Sequence, residues 1–320
     1  MASIAPADKA SIKGSGYLDT RWTAELHPLA NEVCAEVDSY FLEHWPFPNE
    51  QARKKFTSSR LTRCACYFFP RALDDRIRLA CHIFAWAFLI DDLHDHMSLS
   101  DGRAFDETLI HICRGDLVPE RNSPIEWITR DLWENLRAHD RELADRMLEP
   151  CFVWMRSQTD TRRLKRMDLK EYFAYREADV GHAFTASIIR FCMALHLSPE
   201  QLSVTSSIEK NCARHITVIN DIWSFEKEVL VSQKGHCEGG FLVSAVSILS
   251  DTATISTEAS KRILGGLCRE WEAIHDALVK NVLDVAQDKA MMEYLKALEL
   301  KASGNEAWSK LTKRYSSPTI

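Results

Sequence analysis

Asp91-Asp92-Leu93-His94-Asp95 closes an apolar run, HIFAWAFLI. At about 100° per residue, Asp91 and Asp95 share one helix face, with Phe88 and Phe84 one and two turns before them. Unpaired carboxylates at the mouth of an aromatic-walled helix repel one another and lose hydration. Divalent cations relieve both costs, and hard oxygen ligands suit Mg²⁺. Taken alone, the pattern is equally that of a solvated acidic helix end. Asp74-Asp75-Arg76 is a decoy of that kind. It has a basic neighbour and no third acid, and it sits near a helix start, where capping and the helix dipole suffice.

A second cluster carries the argument further. Asn220-Asp221-Ile222-Trp223-Ser224-Phe225-Glu226-Lys227-Glu228 places Asn220, Ser224 and Glu228 four residues apart. Four residues drift only about 40° around a helix, so an amide oxygen, a hydroxyl and a carboxylate form one stripe. Such a stripe is a partial Mg²⁺ shell with positions left for substrate and water.

These motifs need long helices to position them, and the chain supplies them. Leu29, Val33, Val37 and Phe41 recur at helical spacing until Pro46 and Pro48, and Asn49 can cap the next helix. Pro70 separates that one from a helix over 74–97. Further periodic segments cover 106–113, 124–140, 142–158, 168–195, 199–229, 241–249, 256–284, 287–302 and 304–315, about eleven helices in all. With only 11 Gly and 10 Pro in 320 residues, an all-α fold is expected, a helical bundle around an apolar cavity. Residues 1–20 read as a disordered arm and 21–320 as one domain. The polar, glycine-bearing stretch 231–241 reads as a mobile loop.

Composition bounds the function. Forty basic against 46 acidic residues leave a net charge of −6, which argues against a nucleic-acid footprint. The longest apolar run, 81–90, is too short for a bilayer, and no leader pattern precedes a cleavage site. The expectation is a soluble cytoplasmic protein with reduced, buried thiols and no stable membrane insertion.

Together, D-D-x-x-D and N-D-x-x-S-x-x-x-E resemble the metal-binding signature of class I terpene cyclases. The resemblance runs from His27 to Tyr315. FPNEQARKKF, FPRALDDRI, FLIDDL, LRAHDRELAD, EYFAYREADVG, VINDIWSFEKE and the terminal SGNEAW and KRY look most similar to the fungal aristolochene synthases. The resemblance implies the class I terpenoid synthase fold and Mg²⁺-dependent cyclisation of farnesyl diphosphate, with diphosphate released. The expected route is 1,10-closure through germacrene A to an eremophilane or eudesmane such as aristolochene.

The resemblance also implies roles. Asp91 would bridge two Mg²⁺ ions with Asp95 completing the acidic motif, while Asn220, Ser224 and Glu228 would hold a third, Mn²⁺ being a substitute. Arg176, Lys227, Arg314 and Tyr315 match the diphosphate donors. Each has a plainer reading by itself: Arg176 can pair with Glu177 or Asp179, and Lys227 can be a solvated charge. A homodimer or larger homo-oligomer is compatible with this family. Carbocation chemistry also needs a dry pocket with π faces. Candidates are Tyr67, Phe84, Phe88, Phe152, Trp154 and Trp308, with Gly181 freeing a carbonyl toward the cation. The basic run Arg162, Arg163, Lys165 and Arg166 reads as a solvated helix start. His94 and Asp95 stand where aristolochene synthases commonly carry Leu and Glu, and Trp154 where phenylalanine is expected.

Two rivals remain. A chain-elongating prenyl diphosphate synthase would need a second D-D-x-x-D where Asn220-Asp221 begins a different pattern. A non-catalytic helical scaffold would be expected to have lost a ligand or donor.

Overall fold

A computed structural model describes residues 20–233, 242–285 and 288–315. The expected arm 1–20 lies outside these residues but for Thr20, as do positions 234–241 of the expected loop. Among the described residues there is no β-strand, and no helix is long and apolar enough to cross a membrane.

Twelve α-helices are described: α1 Ala30–His44, α2 Glu50–Ser59, α3 Leu61–Phe68, α4 Ile77–His94, α5 Leu99–Arg114, α6 Pro124–Ser157, α7 Leu169–Asp179, α8 His182–Cys192, α9 Pro199–Gln233, α10 Ala245–Ala253, α11 Thr257–Val285 and α12 Lys289–Leu311. One 3₁₀ turn, Thr161–Leu164, joins α6 to α7. α9 packs against α11 and α12, α6 against α5 and α8, and α3 against α4 and α12.

α4 is apolar around most of its circumference, so other helices must enclose it. Ile77, Ala80, Cys81, Ile83, Ala85, Trp86 and Ile90 are indeed wholly buried. The Trp86 indole satisfies its N–H on Thr129 Oγ1 at 2.8 Å. The helix is shorter than the periodicity over 74–97 suggests, because Asp74 and Asp75 turn outward in the preceding turn, Asp75 toward His139 at 3.0 Å. α5 is longer than 106–113, because Ser98 caps its start and Gly115, at φ +89°, ends it.

The expected break after residue 140 is present. Asp140 leaves helical geometry (φ −156°, ψ 94°) inside α6, and its carboxylate caps the second half through Leu143 N at 3.1 Å. Asn49 caps α2 on Ala52 N at 2.9 Å. A break comes at Arg60, which adopts φ +51° and divides α2 from α3. The segment 168–195 is two helices, because Gly181 turns left-handed (φ +64°) between α7 and α8.

The division into 287–302 and 304–315 is corrected: α12 runs unbroken through Gly304. That glycine serves close packing. A Cβ there would lie 2.1 Å from the Tyr67 carbonyl oxygen, so any side chain would push α12 off α3.

Candidate active site

The ends of α4, α7 and α9 and the segment after α12 converge on a polar cavity of about 260 Å³. It is lined by Asp91, Asp95, Arg176, Asn220, Ser224, Lys227, Glu228, Arg314 and Tyr315. Nine side chains singled out by motif and resemblance thus meet, although up to 224 residues separate them. Beneath it lies a more apolar chamber of about 160 Å³, whose walls include Phe68, Phe84, Trp154, Phe184, Ile188 and Trp308. Phe88, Asp91, Arg176, Asp179, Asn220 and Tyr315 line both, which makes the two chambers continuous.

α9 is held in place by Asp221, the buried residue that follows Asn220. Its carboxylate accepts from the Tyr172 hydroxyl at 2.6 Å and from Ala245 N at 2.7 Å, joining α7, α9 and the start of α10. Burial pushes Asp221 up to about 7 against the opposing pull of Arg176. Ser224 donates to the Asn220 carbonyl at 2.7 Å and lies 2.6 Å from Glu228 Oε1, so the expected stripe forms. Burial also raises Glu228, with the Ser224 bond and Arg176 resisting.

Arg176 makes the plain contact on its own helix and a second one across to α9. One guanidinium nitrogen pairs with Asp179 on its own helix, and another donates to Asn220 Oδ1 at 3.1 Å. Tyr315 accepts from Asn220 Nδ2 at 2.7 Å. Arg314 forks onto Asp92 at 3.0 and 3.1 Å, reaches Asp91 at 3.6 Å and lies over the Phe88 ring at 5.0 Å. Burial alone would raise Asp92, but Arg314 and then Lys55 outweigh it and hold the carboxyl well below the usual range. Asp91 has the opposite fate. Its side chain is 44 % exposed and lines the polar cavity. Desolvation and the Asp95 charge push it up to about 6, with Arg314 opposing. Lys227 is lowered by burial and by Arg314.

Oxygen ligands for a divalent cation are therefore present on two facing elements. At the end of α4 the Asp91 and Asp95 carboxylates line the cavity, and on α9 an amide, a hydroxyl and a carboxylate lie in line. That donor set fits a hard cation. His94 also lines the polar cavity, but both its ring nitrogens are committed elsewhere: Nε2 lies 2.9 Å from Asp106 Oδ1 and Nδ1 2.9 Å from the Ile90 carbonyl. A further buried group, His215, Glu272 and Glu306, has metal-like spacing. There Arg269 stands between the two glutamates at 2.7 and 2.6 Å and Lys310 reaches Glu306 at 2.9 Å, so two cations already face the two carboxylates without an ion.

Among the aromatic candidates, Phe84, Phe88, Trp154 and Trp308 line the apolar chamber, as does Gly181. Trp154 stacks on Phe184 at 5.7 Å and 21°. Tyr67 and Phe152 are corrections, since neither lines either chamber. Phe152 stands about 200° around α6 from Trp154, so the two cannot share a face. It packs toward α5 with Arg114 over its ring at 4.9 Å. Tyr67 sits one residue, about 100°, from the cavity-lining Phe68 and packs into the helix core instead.

Asp92, Asp179 and Asp221 were not anticipated as site residues. The first and last lie inside the motifs themselves, and Asp179 stands at i+3 from Arg176. Of the expected loop 231–241, Ser232 lines the polar mouth, and Leu242 and Val243 just beyond it do so too.

Comparison with known proteins agrees with this arrangement. Residues 82–273 match the family described as terpene synthase family 2, C-terminal metal binding. The chain is 50 % identical to (+)-aristolochene synthase TS1 of Penicillium expansum over 90 % of this chain and 88 % of that protein. It is also 50 % identical to the aristolochene synthase of Aspergillus terreus, covering 91 % of each. The crystal structure of aristolochene synthase from Penicillium roqueforti superposes with a TM-score of 0.83 at 43 % identity, covering 92 % of this chain and 99 % of that one. A cucumene synthase at 17 % identity and TM-score 0.78 shares the fold. A family match over more than half of the chain, with relatives at half identity along nine-tenths of it, makes this chain a member of the terpene synthase family.

Proposed function

We propose that the protein is a Mg²⁺-dependent sesquiterpene cyclase. It would convert farnesyl diphosphate to a cyclic C15 hydrocarbon and diphosphate, with aristolochene or a related eremophilane or eudesmane as the product. The observation that carries this reading is the continuity of a charged chamber with an aromatic one through Phe88, Asp91, Arg176, Asp179, Asn220 and Tyr315. An amphipathic substrate with an anionic head and an apolar tail matches that division.

Asp91 and Asp95 on one side, and Asn220, Ser224 and Glu228 on the other, would hold the metal ions. Magnesium bound there neutralises diphosphate charge and favours its departure. Arg176, Lys227, Arg314 and Tyr315 would bind the diphosphate oxygens, the arginines through forked donors. As the carbon–oxygen bond breaks, the electron pair leaves with diphosphate and the farnesyl cation remains. The faces of Phe84, Phe88, Trp154 and Trp308 would stabilise positive charge and exclude water. Closure between C1 and C10 gives a germacrenyl cation. A diphosphate oxygen is the base proposed for proton loss to germacrene A, since among the described residues the only carboxylates lining the apolar chamber, Asp91 and Asp179, also line the polar one. Half identity to two aristolochene synthases supports the product class.

The test is incubation with farnesyl diphosphate, with and without Mg²⁺, and gas chromatography–mass spectrometry of the hydrocarbon extract. A Mg²⁺-dependent C15 hydrocarbon is expected. A longer prenyl diphosphate, or diphosphate release without hydrocarbon, would overturn the reading.

A further inference from the structure

The basic run at 162–166 is divided by its backbone. A 3₁₀ turn advances about 120° per residue, so neighbouring side chains diverge. Arg162 pairs with Asp160 at 2.7 Å and lies over the Tyr175 ring at 5.4 Å, while Lys165 and Arg166 are exposed. Arg163 is half-buried and lines the polar chamber with Asp91, Asp95 and Lys227. One of its terminal nitrogens donates to the Gln158 carbonyl at 2.5 Å. Gln158 is anchored in turn, its amide nitrogen donating to the Trp154 and Asp179 carbonyls at 3.3 Å each. The turn carrying Arg163 is therefore tied to the end of α6 and the end of α7.

The cations of this chamber differ in how their charge is committed. Arg176 is engaged by Asp179, and Arg314 by Asp92. Among the described residues, Arg163 and Lys227 line the chamber with no carboxylate in ion-pair contact. A polyanion entering it meets these two uncommitted charges, one from the 3₁₀ turn and one from α9.

We propose that Arg163 is an additional diphosphate-binding residue, which captures the substrate's diphosphate at the mouth of the chamber. The inference rests on the cyclase reading above. With one terminal nitrogen kept on Gln158, Nε and the second terminal nitrogen remain for two phosphate oxygens. The charge it meets is present on bound substrate and on departing diphosphate alike. Its contribution is therefore uniform binding, which sets KM and not kcat.

The experiment compares wild type, Arg163→Ala, Arg163→Lys and the exposed control Arg166→Ala. Three quantities are measured: farnesyl diphosphate kinetics in Mg²⁺, inhibition by inorganic diphosphate, and the thermal midpoint. Arg163→Ala is expected to raise KM and the diphosphate inhibition constant together by about tenfold, with kcat within about twofold. Arg163→Lys falls between, since it keeps the charge but not the fork, and Arg166→Ala matches wild type. Values for Arg163→Ala within twofold of wild type would overturn the inference. So would a drop in thermal midpoint with an unmoved inhibition constant, which would mark Arg163 as only a brace for Gln158. Failure of the wild type to turn over farnesyl diphosphate would instead sink the cyclase reading. Calorimetric titration of wild type and Arg163→Ala with inorganic diphosphate then still decides whether this side chain holds the anion.

Discussion

Asn220 donates its side-chain nitrogen to the Tyr315 hydroxyl at 2.7 Å while its oxygen accepts from Arg176 at 3.1 Å. One amide thereby orients a residue of the C-terminal segment and a residue of α7 around the same cavity. Under the proposed function its oxygen is also the atom a metal ion would take, and metal binding would then compete with Arg176 for it. Tyr315→Phe leaves the Asn220 N–H without this partner, at a cost of about 1–3 kcal/mol. A fall in kcat/KM of about tenfold or more is expected, and an unchanged value would mean that the bond is idle during turnover.

Glu228→Gln keeps shape and removes charge from the α9 stripe. It is expected to lower hydrocarbon production by about a hundredfold or more at moderate Mg²⁺, with the thermal midpoint of the metal-free protein unchanged or raised. The rise follows because the native carboxylate is destabilised by burial. The Mg²⁺ dependence of turnover checks it, and partial recovery at high Mg²⁺ is expected.

The Asp91 carboxyl lies at about 6 in the folded, metal-free protein, above its ordinary value of 3.8. A folded value above the unfolded one means that this group lowers metal-free stability as pH rises through about 4 to 6. A metal needs the carboxylate, so below about pH 6 it must displace a proton. The rise in thermal midpoint caused by Mg²⁺ should therefore grow between pH 5 and pH 7.5. Asp91→Asn should flatten that growth, and a Mg²⁺ shift that is equal across the range would refute the assignment.

Gly181 is at φ +64°, and a Cβ there would sit 3.0 Å from Trp154 Cδ1. Gly181→Ala should cost about 1–2 kcal/mol of stability from the left-handed backbone alone. It should also displace the Trp154 ring that stacks on Phe184, changing the ratio of hydrocarbon products. Adding Trp154→Phe should restore part of the product pattern but not the backbone cost. Thermal unfolding and product chromatography on the single and double variants separate the two effects.

Much of the site was legible because helices convert spacing into direction. Asp91 with Asp95, and Asn220 with Ser224 and Glu228, are separated by whole turns, so each set shares a face wherever its helix goes. Breaks at Asp140 and Gly181 were legible in part for similar local reasons, an acid able to cap and a residue able to turn left-handed. Gly304 was not, because whether a glycine ends a helix or admits a neighbour depends on the neighbour, here the Tyr67 carbonyl. For Phe152 and Tyr67 residue type alone suggests a cavity wall, and the step of about 100° per residue turns both onto other faces.

The chain by itself determined its all-helical character, the two metal-type motifs and the family to which they belong, since all of these depend on residue types at short range. Tertiary structure alone decided which charges pair. Arg314 chooses Asp92 over Asp91, Arg176 divides itself between Asp179 and Asn220, and Arg163 faces the chamber while Arg162 faces solvent. These choices follow from distances between elements far apart in sequence and from the desolvation that their packing imposes. No spacing along the chain encodes either one.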